Sequence, residues 1–388
     1  MAPDVALDAL LHENRSFPPP PELAASANAR PELYDEAAKD RLAFWERMAE
    51  RLEWARRWDS PLEWDLPYAK WFVGGRLNAS VNCLDRHVAA GRGGKVAFHW
   101  VGDGERDSLD VTYEELHRQV CKAANALLEL GVRAGDRVAI YMPMIPETVV
   151  AMLACARIGA PHTVVFCGFS AEALRGRIQD CDCRAVITVD GQFRRGAPAP
   201  VKPAVDEALL ECPGVGHVLV VRRTGEDVAW SDGRDLWWHD AVDRQPDTHV
   251  AEDFDSEHPL YIMYTSGTTA KPKGIIHTTA GYLVGTSATH DYIFDLKDED
   301  VYWCAADIGG VTGHSYIVYG PLANGATSLM YEGTPHPGDK DRWWAIVERY
   351  KVSILYTAPT AIRSHMKWGP EHAQKHDLSS LRLLGSVG

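Results

Sequence analysis

The chain has 388 residues, of which 46% are hydrophobic and 24% charged, with 40 Lys and Arg against 54 Asp and Glu. These are the proportions of a folded globular protein of two or three domains, which excludes global disorder. A net charge of −14 leaves no electrostatic footprint for nucleic acid or an anionic membrane, and no apolar run approaches the roughly 20 residues of a membrane span.

The first twenty residues contain acids and prolines and lack the apolar core of a signal peptide. Among the scattered cysteines only Cys181 and Cys183 lie close, and C-x-C without a second pair is a poor metal signature. The expected setting is reducing and cytoplasmic, with no resident metal site.

Residues 14–33 are rich in Pro and Ala and read as an extended, polyproline-like arm. Residues 34–57 read as one amphipathic helix, because Leu42, Trp45, Met48, Leu52 and Ala55 recur at three- and four-residue spacing. Trp54, Trp58, Trp64 and Trp71 supply large apolar area that would pin this region, residues 1–94, onto the body.

From residue 95 strands and helices alternate. Val96–Val101 reads as a strand, and Thr112-x-x-Glu115 is a capping box opening a helix through Leu130. Strands follow at Arg137–Met142, His162–Phe166, Ala185–Val189 and His217–Val221. Helices fall between them at Pro146–Ile158, Ser170–Gln179 and Val205–Leu210. Residues 223–257, polar and rich in Asp, read as a loop. Beyond it Leu260–Tyr264, Val301–Cys304, Thr327–Tyr331, Ile354–Tyr356 and Leu381–Val387 are strand-like, and Tyr282–Tyr292 and Arg342–Tyr350 helix-like. Alternation of this kind predicts an α/β fold with mixed, largely parallel sheets. Two packed α/β subdomains are expected, residues 95–222 and 223–388, with ligands outside the carboxyl ends of the strands.

The stretch Tyr264-Thr-Ser-Gly-Thr-Thr-Ala-Lys-Pro-Lys-Gly274 follows a strand and combines two glycines, four hydroxyls and two lysines. Glycines let backbone N–H groups approach phosphate oxygens, hydroxyls add donors, and lysine adds a point charge. It is not a Walker loop, because Gly267 has Pro272 five positions on. His372 and His376, four apart, have a metal-compatible spacing but stand among Lys, Glu and Asp, as on a solvated helix.

The order T-S-G-T-T-x-K-P-K-G is the phosphate-loop motif of the acyl-adenylate-forming superfamily. The similarity extends through Trp71-Phe-Val-Gly-Gly-Arg-Leu-Asn78, Asn82-Cys-Leu-Asp-Arg-His87, Tyr302-Trp-Cys304, Val311-Thr-Gly-His-Ser-Tyr316, Tyr356-Thr-Ala-Pro-Thr-Ala-Ile-Arg363 and Leu384-Gly-Ser-Val-Gly388. Together these blocks resemble the acetyl-CoA synthetase family, the AMP-forming acetate–CoA ligases, over the N-terminal portion of such a protein. The resemblance implies the large N-terminal domain of the adenylate-forming fold. It also implies a two-step reaction: acetate attacks the α-phosphate of ATP, carried with Mg2+, and coenzyme A then displaces AMP. Acetate, ATP and coenzyme A would be the small-molecule partners.

By position, the resemblance assigns the ATP phosphates to Thr265, Ser266, Gly267, Thr268, Thr269, Lys271, Lys273 and Gly274, and adenine to Gly388. The acyl pocket falls to Gly310, Val311, Thr312 and Val387. Coenzyme A falls to Arg194, Arg195, Gly196, Thr312 and His336. From periodicity alone Val311 and Val387 read equally well as core valines. His277 and His314 sit in matched blocks without an assigned catalytic role.

Three departures stand out. Ala270 replaces a common glycine, at a cost of about 1 kcal/mol if that position needs positive φ. Gly310 stands where the family carries tryptophan beside the acyl pocket. The chain also stops at Gly388, at the end of a strand, whereas the family continues through a mobile C-terminal domain with the adenylation lysine. The 388 residues alone are therefore expected to be inactive as a ligase. Two alternatives stay open: a non-catalytic nucleotide-binding fragment or pseudoenzyme, and a ligase for a slightly larger acid such as propionate. A nonribosomal peptide adenylation domain is disfavoured by the long N-terminal arm and the Val311–Tyr316 block.

Overall fold

In the computed structural model the described residues are 16–104, 107–265, 272–334 and 340–387. Among them two large sheets form. The first has seven strands in the spatial order Asp235–Trp237, His217–Val221, Cys183–Val189, Arg137–Tyr141, His162–Val164, Pro259–Thr265 and Lys273–Thr278. The second has six, in the order Leu383–Ser386, Ile354–Thr357, Val301–Cys304, Thr327–Tyr331, Val96–Val101 and Ser108–Thr112. Each sheet is parallel except for one antiparallel edge strand, Lys273–Thr278 in the first and Ser108–Thr112 in the second. This is the mixed, largely parallel α/β architecture that the alternation of strands and helices predicts.

Sheet membership does not follow the expected division between residues 222 and 223. Val96–Val101 runs parallel to Thr327–Tyr331 in the second sheet. Asp235–Trp237 and Pro259–Thr265 complete the first. Strands buried on both faces carry little information about which neighbour they pair with, so local patterning cannot divide them. The loop expected over 223–257 likewise contains the strand Asp235–Trp237 and the short helix Trp238–Val242.

Helix starts follow local chemistry. Thr112 Oγ accepts the Glu115 N–H at 3.2 Å and opens Tyr113–Glu129, but the Glu115 carboxylate turns to Gln119 and Arg118 rather than back to the cap. The N-terminal region departs further. Pro21–Ser26 is helical, with proline at the first position, where its missing N–H removes nothing. The single helix expected over 34–57 is two, Glu32–Lys39 and Arg41–Ala49. Asp40 between them is extended, and its carboxylate caps Leu42 and Ala43 at 3.1 and 3.0 Å. A capping aspartate outweighs a continuing apolar period.

The aromatic region docks as expected, with one exception. Trp54, Trp58 and Phe72 meet edge-to-face within 5.6 Å. Trp71 fits over Gly281, where an added Cβ would stand 3.2 Å from its own. Trp64 is 56% exposed and lies outside the buried aromatic cluster. The main core runs through the first sheet and its helices and takes in Phe98, Trp100, Tyr302 and Met330 of the second sheet, and a smaller one holds Trp303, Trp343, Ile346 and Leu355.

Candidate functional site

The two sheets bring the ends of their parallel strands to one cleft. At the edge of the first, Pro259–Thr265 and Lys273–Thr278 pair antiparallel, with Thr265 opposite Lys273 and Tyr264 opposite Gly274. Of the residues expected at the ATP phosphates, Thr265, Lys273 and Gly274 are therefore neighbours, and the first two are exposed. Ser266, Gly267, Thr268, Thr269 and Lys271 lie outside the described residues, as do Ala270, His336 and Gly388. Gly274 is closely packed: a Cβ there would stand 3.1 Å from Ile262 and 3.2 Å from the Tyr264 ring. Tyr264 is itself fixed, donating its hydroxyl to the Asp180 carboxylate at 2.5 Å and lying under the Arg177 guanidinium.

In the second sheet, Val301–Cys304 runs out into Ala305–Gly310, and Gly310 caps a helical stretch that starts at Val311–Gly313 and continues through His314–Tyr319. The turn is tight. Gly309 donates its N–H to Asp307 Oδ1 at 2.7 Å, and a Cβ on Gly313 would stand 2.2 Å from the Asp307 carbonyl. Gly310 is different. Its φ is −92°, and an added Cβ would meet only the Asp307 carbonyl, at 3.6 Å. Backbone geometry does not require glycine there, and the space beside it is open.

Val311 is 48% exposed, so it is not a core valine. Val387 follows the strand Leu383–Ser386, held by its N–H to the Thr357 carbonyl at 3.0 Å. That strand and Val301–Cys304 flank Ile354–Thr357, all three parallel. The strands that lead to the Gly310–Thr312 turn and to Val387 thus end on the same side of the sheet two strands apart, about 10 Å at the usual strand spacing.

A cavity of about 200 Å³ opens where the two sheets meet, lined among others by Phe166, Gln192, Arg194, Trp303, Asp307 and Glu332. Arg194 ends one arm of a hairpin, Gly191–Arg194 with Ala197–Pro200. The connecting residues Arg195 and Gly196 both have positive φ, 57° and 79°, the two-residue turn that suits strand twist. Asp103 locks it by accepting the Gly196 N–H at 2.6 Å. Arg194 lies over the Phe166 ring at 5.8 Å, and Gly168 leaves it room, since a Cβ there would stand 3.0 Å from its Nη1. It forms no ion pair among the described residues, and its charge acts on the Asp307 carboxyl across the same cavity.

Of the described residues expected at coenzyme A, only Arg194 lines this cavity. Arg195 and Gly196 form the turn behind it, and Thr312 lies on the adjoining helical stretch. Phe166, Gln192, Trp303, Asp307 and Glu332 were not anticipated. Their common signal is position just past or at the carboxyl end of a parallel strand, which becomes readable only once the strands are ordered.

No group of three or more His, Cys, Asp and Glu among the described residues is arranged to hold a metal. His372 sits past the second sheet against Asp341, and His376 bonds Glu348 at 2.8 Å. The helix there is only Glu371–Gln374, so the two histidines do not share it. No described helix is long and apolar enough to cross a membrane.

Comparison with known proteins gives concordant matches. A family model described as AMP-binding enzyme covers residues 85–388, and another described as acetyl-coenzyme A synthetase N-terminus covers residues 31–83. The chain is 62% identical over 381 residues to an acetyl-coenzyme A synthetase of Streptomyces coelicolor, covering 98% of this chain and 58% of that protein. It is 60% identical over 375 residues to one of Mycolicibacterium smegmatis, covering 96% of this chain and 40% of that protein. With one of Mycobacterium tuberculosis the identity is 59% over 377 residues, again 96% of this chain and 58% of the relative. The chain thus spans well under two thirds of the length of the relatives it matches.

Proposed function

The chain belongs to the family of AMP-binding enzymes, and from that premise we propose that its protein is an AMP-forming acetate–CoA ligase. It would convert acetate, ATP and coenzyme A to acetyl-CoA, AMP and pyrophosphate through an acetyl-adenylate. ATP supplies the leaving group that a carboxylate lacks, and Mg2+ would accompany it as the counter-ion of its phosphates. The rest of the task is positioning two anions against each other and neutralising them.

One observation supports the reading: Arg194, just past a strand of the first sheet, and Asp307, on the stretch leading to Gly310, line one cavity where the two sheets meet. Thr265 and Lys273, paired across the hairpin mouth, would receive phosphate oxygens together with Ser266–Lys271 and Gly274. Gly310, Val311, Thr312 and Val387 would wall the acyl group, and the exposure of Gly310 and Val311 in place of core burial favours that role. Arg194, charged and without an ion pair among the described residues, would meet a phosphate of coenzyme A, which guanidinium recognises bidentately. Gly388 would lie at adenine. All eight cysteines are free and buried, in keeping with a cytoplasmic protein.

A second reading, a ligase for a slightly larger acid such as propionate, is favoured by the open space beside Gly310. Acid-dependent ATP–pyrophosphate exchange, run on the protein purified from its source cells with acetate, propionate and butyrate, tests both. Highest kcat/KM with acetate supports the first reading and highest with propionate the second. No exchange with any short-chain acid overturns the ligase assignment.

A further inference from the structure

The Gly310 carbonyl is held twice by one residue. His314, one helical turn on, donates its backbone N–H at 3.1 Å and brings its ring Nδ1 to 2.9 Å from the same oxygen. A carbonyl only accepts, so Nδ1 carries the ring proton and Nε2 is a lone pair. The ring is fully buried, and Nε2 has no hydrogen-bond partner among the described residues. Burial pushes the His314 pKa down to about 4, which keeps the ring neutral and this tautomer in place at physiological pH.

The ring also reaches the other half of the site. It packs 4.4 Å from Tyr261, which stacks at 4.4 Å on His277. Tyr261 lies on the strand leading to Thr265, and His277 on the strand leaving Lys273. A second buried histidine, His162, lies parallel to His314 at 5.7 Å. One contiguous stack therefore joins the hairpin that carries the phosphate motif to the turn that carries Gly310, Val311 and Thr312. Gly310 has no side chain to restrict its own torsions, and nothing but the Asp307 carbonyl stands near the place a Cβ would take. The second hydrogen bond from His314 restricts what the glycine leaves free.

We propose that His314 is a positioning residue for the carboxylate substrate: through the Gly310 carbonyl it fixes the Val311–Thr312 wall against the phosphate hairpin. This rests on the reading of Gly310–Thr312 as the acyl pocket. The pattern of Michaelis constants tests it in the protein as its source cells make it. His314→Phe keeps a ring in the stack and removes the donor, whereas His314→Asn returns a donor near the Nδ1 position.

The H314F variant should raise the KM for the preferred acid about tenfold, the effect of one lost hydrogen bond, and leave the KM for ATP within about twofold. The H314N variant should recover most of that loss. Should H314F not fold, the isosteric pair H314N and H314L makes the same comparison. A KM for the acid that stays within about twofold in the donor-free variant overturns the proposal. So does a parallel rise for acid and ATP, the mark of a merely structural role. Failure of the ligase reading is distinct: the unsubstituted protein would then show no exchange with any short-chain acid, and both readings fall together.

Discussion

Arg223, just past the end of a strand in the first sheet, closes on Glu332, just past the end of a strand in the second. Nε reaches Oε1 at 3.0 Å and Nη2 reaches Oε2 at 2.5 Å. The Glu332 side chain is wholly buried, and burial raises its pKa against the opposing pull of Arg223. The same guanidinium also bonds Asp107 at 2.5 Å and lies over the Phe193 ring at 4.6 Å, so it braces the hairpin that presents Arg194. The pair is a strut across the back of the cavity, placed where the two sheets would otherwise part.

Removing one partner of such a pair leaves a buried charge without compensation. Arg223→Met should lower unfolding stability by about 3–5 kcal/mol, and the double change with Glu332→Leu should recover a substantial part of it. Urea denaturation midpoints for the single and double variants measure this. A double variant no more stable than R223M would show that the packing of Arg223, and not its charge pairing, is what the site needs.

The pH dependence of stability follows from two opposed groups of histidines. Arg157, buried, holds Asp85 through two bonds of 2.7 and 2.9 Å, and His117 joins them at 3.2 Å. The bond to Asp85 lifts His117 to about 9, above the unfolded value near 6.5. Its contribution is complete below about pH 6.5 and is lost as pH rises through about 9, amounting to about 2–3 kcal/mol. His87 and His314, pushed down to about 4 by burial, act in the opposite direction. Their unfolded forms bind protons first, so stability falls as pH drops from about 6.5 to 4. Denaturation midpoints across pH should peak between about 6 and 7, and His117→Gln should flatten the alkaline side alone.

Arg194 should act on one substrate only. It lines the cavity, whereas neither Thr265 nor Lys273 does, so Arg194→Ala should raise the KM for coenzyme A about tenfold and leave acid-dependent pyrophosphate exchange unchanged. The difference should shrink at high salt, because an exposed cation attracting phosphate is screened. An equal loss in the exchange reaction would place Arg194 at ATP instead.

How much of this was legible depends on where each signal resides. Thr112 announced its helix because a cap is a local event, and Val301–Cys304 and Arg342–Tyr350 were bounded to the residue by their apolar patterns. Asp40 broke a helix whose periodicity ran straight through it, since side-chain capping is invisible to a hydrophobic period. Strand partners were not legible at all. Val96–Val101 pairs with Thr327–Tyr331, a contact set by the whole sheet. The site divided in the same way. Thr265, Lys273 and Gly274 carry their chemistry in a contiguous motif. Phe166, Gln192 and Glu332 become cavity residues only when separate strands end side by side.

Two glycines three residues apart offer the sharpest contrast. At Gly313 an added Cβ would stand 2.2 Å from the Asp307 carbonyl and 2.5 Å from the Ile308 Cα. Both obstacles are backbone, so Gly313→Ala has to displace the turn. It should destabilise by about 1–3 kcal/mol, the range for overpacking a well-packed site. At Gly310 the φ of −92° suits any residue and the nearest obstacle is at 3.6 Å. Gly310→Trp should therefore leave stability within about 0.5 kcal/mol, as for an exposed position, while filling space beside the acyl wall. Loss of room for one methylene is worth about 1–3 kcal/mol of discrimination, so the preference for acetate over propionate should rise about tenfold. Competitive exchange with the two acids measures the ratio directly. An unchanged ratio in a stably folded G310W variant would mean that the acyl group lies elsewhere in the cleft, and that the open space at Gly310 has no part in choosing the acid.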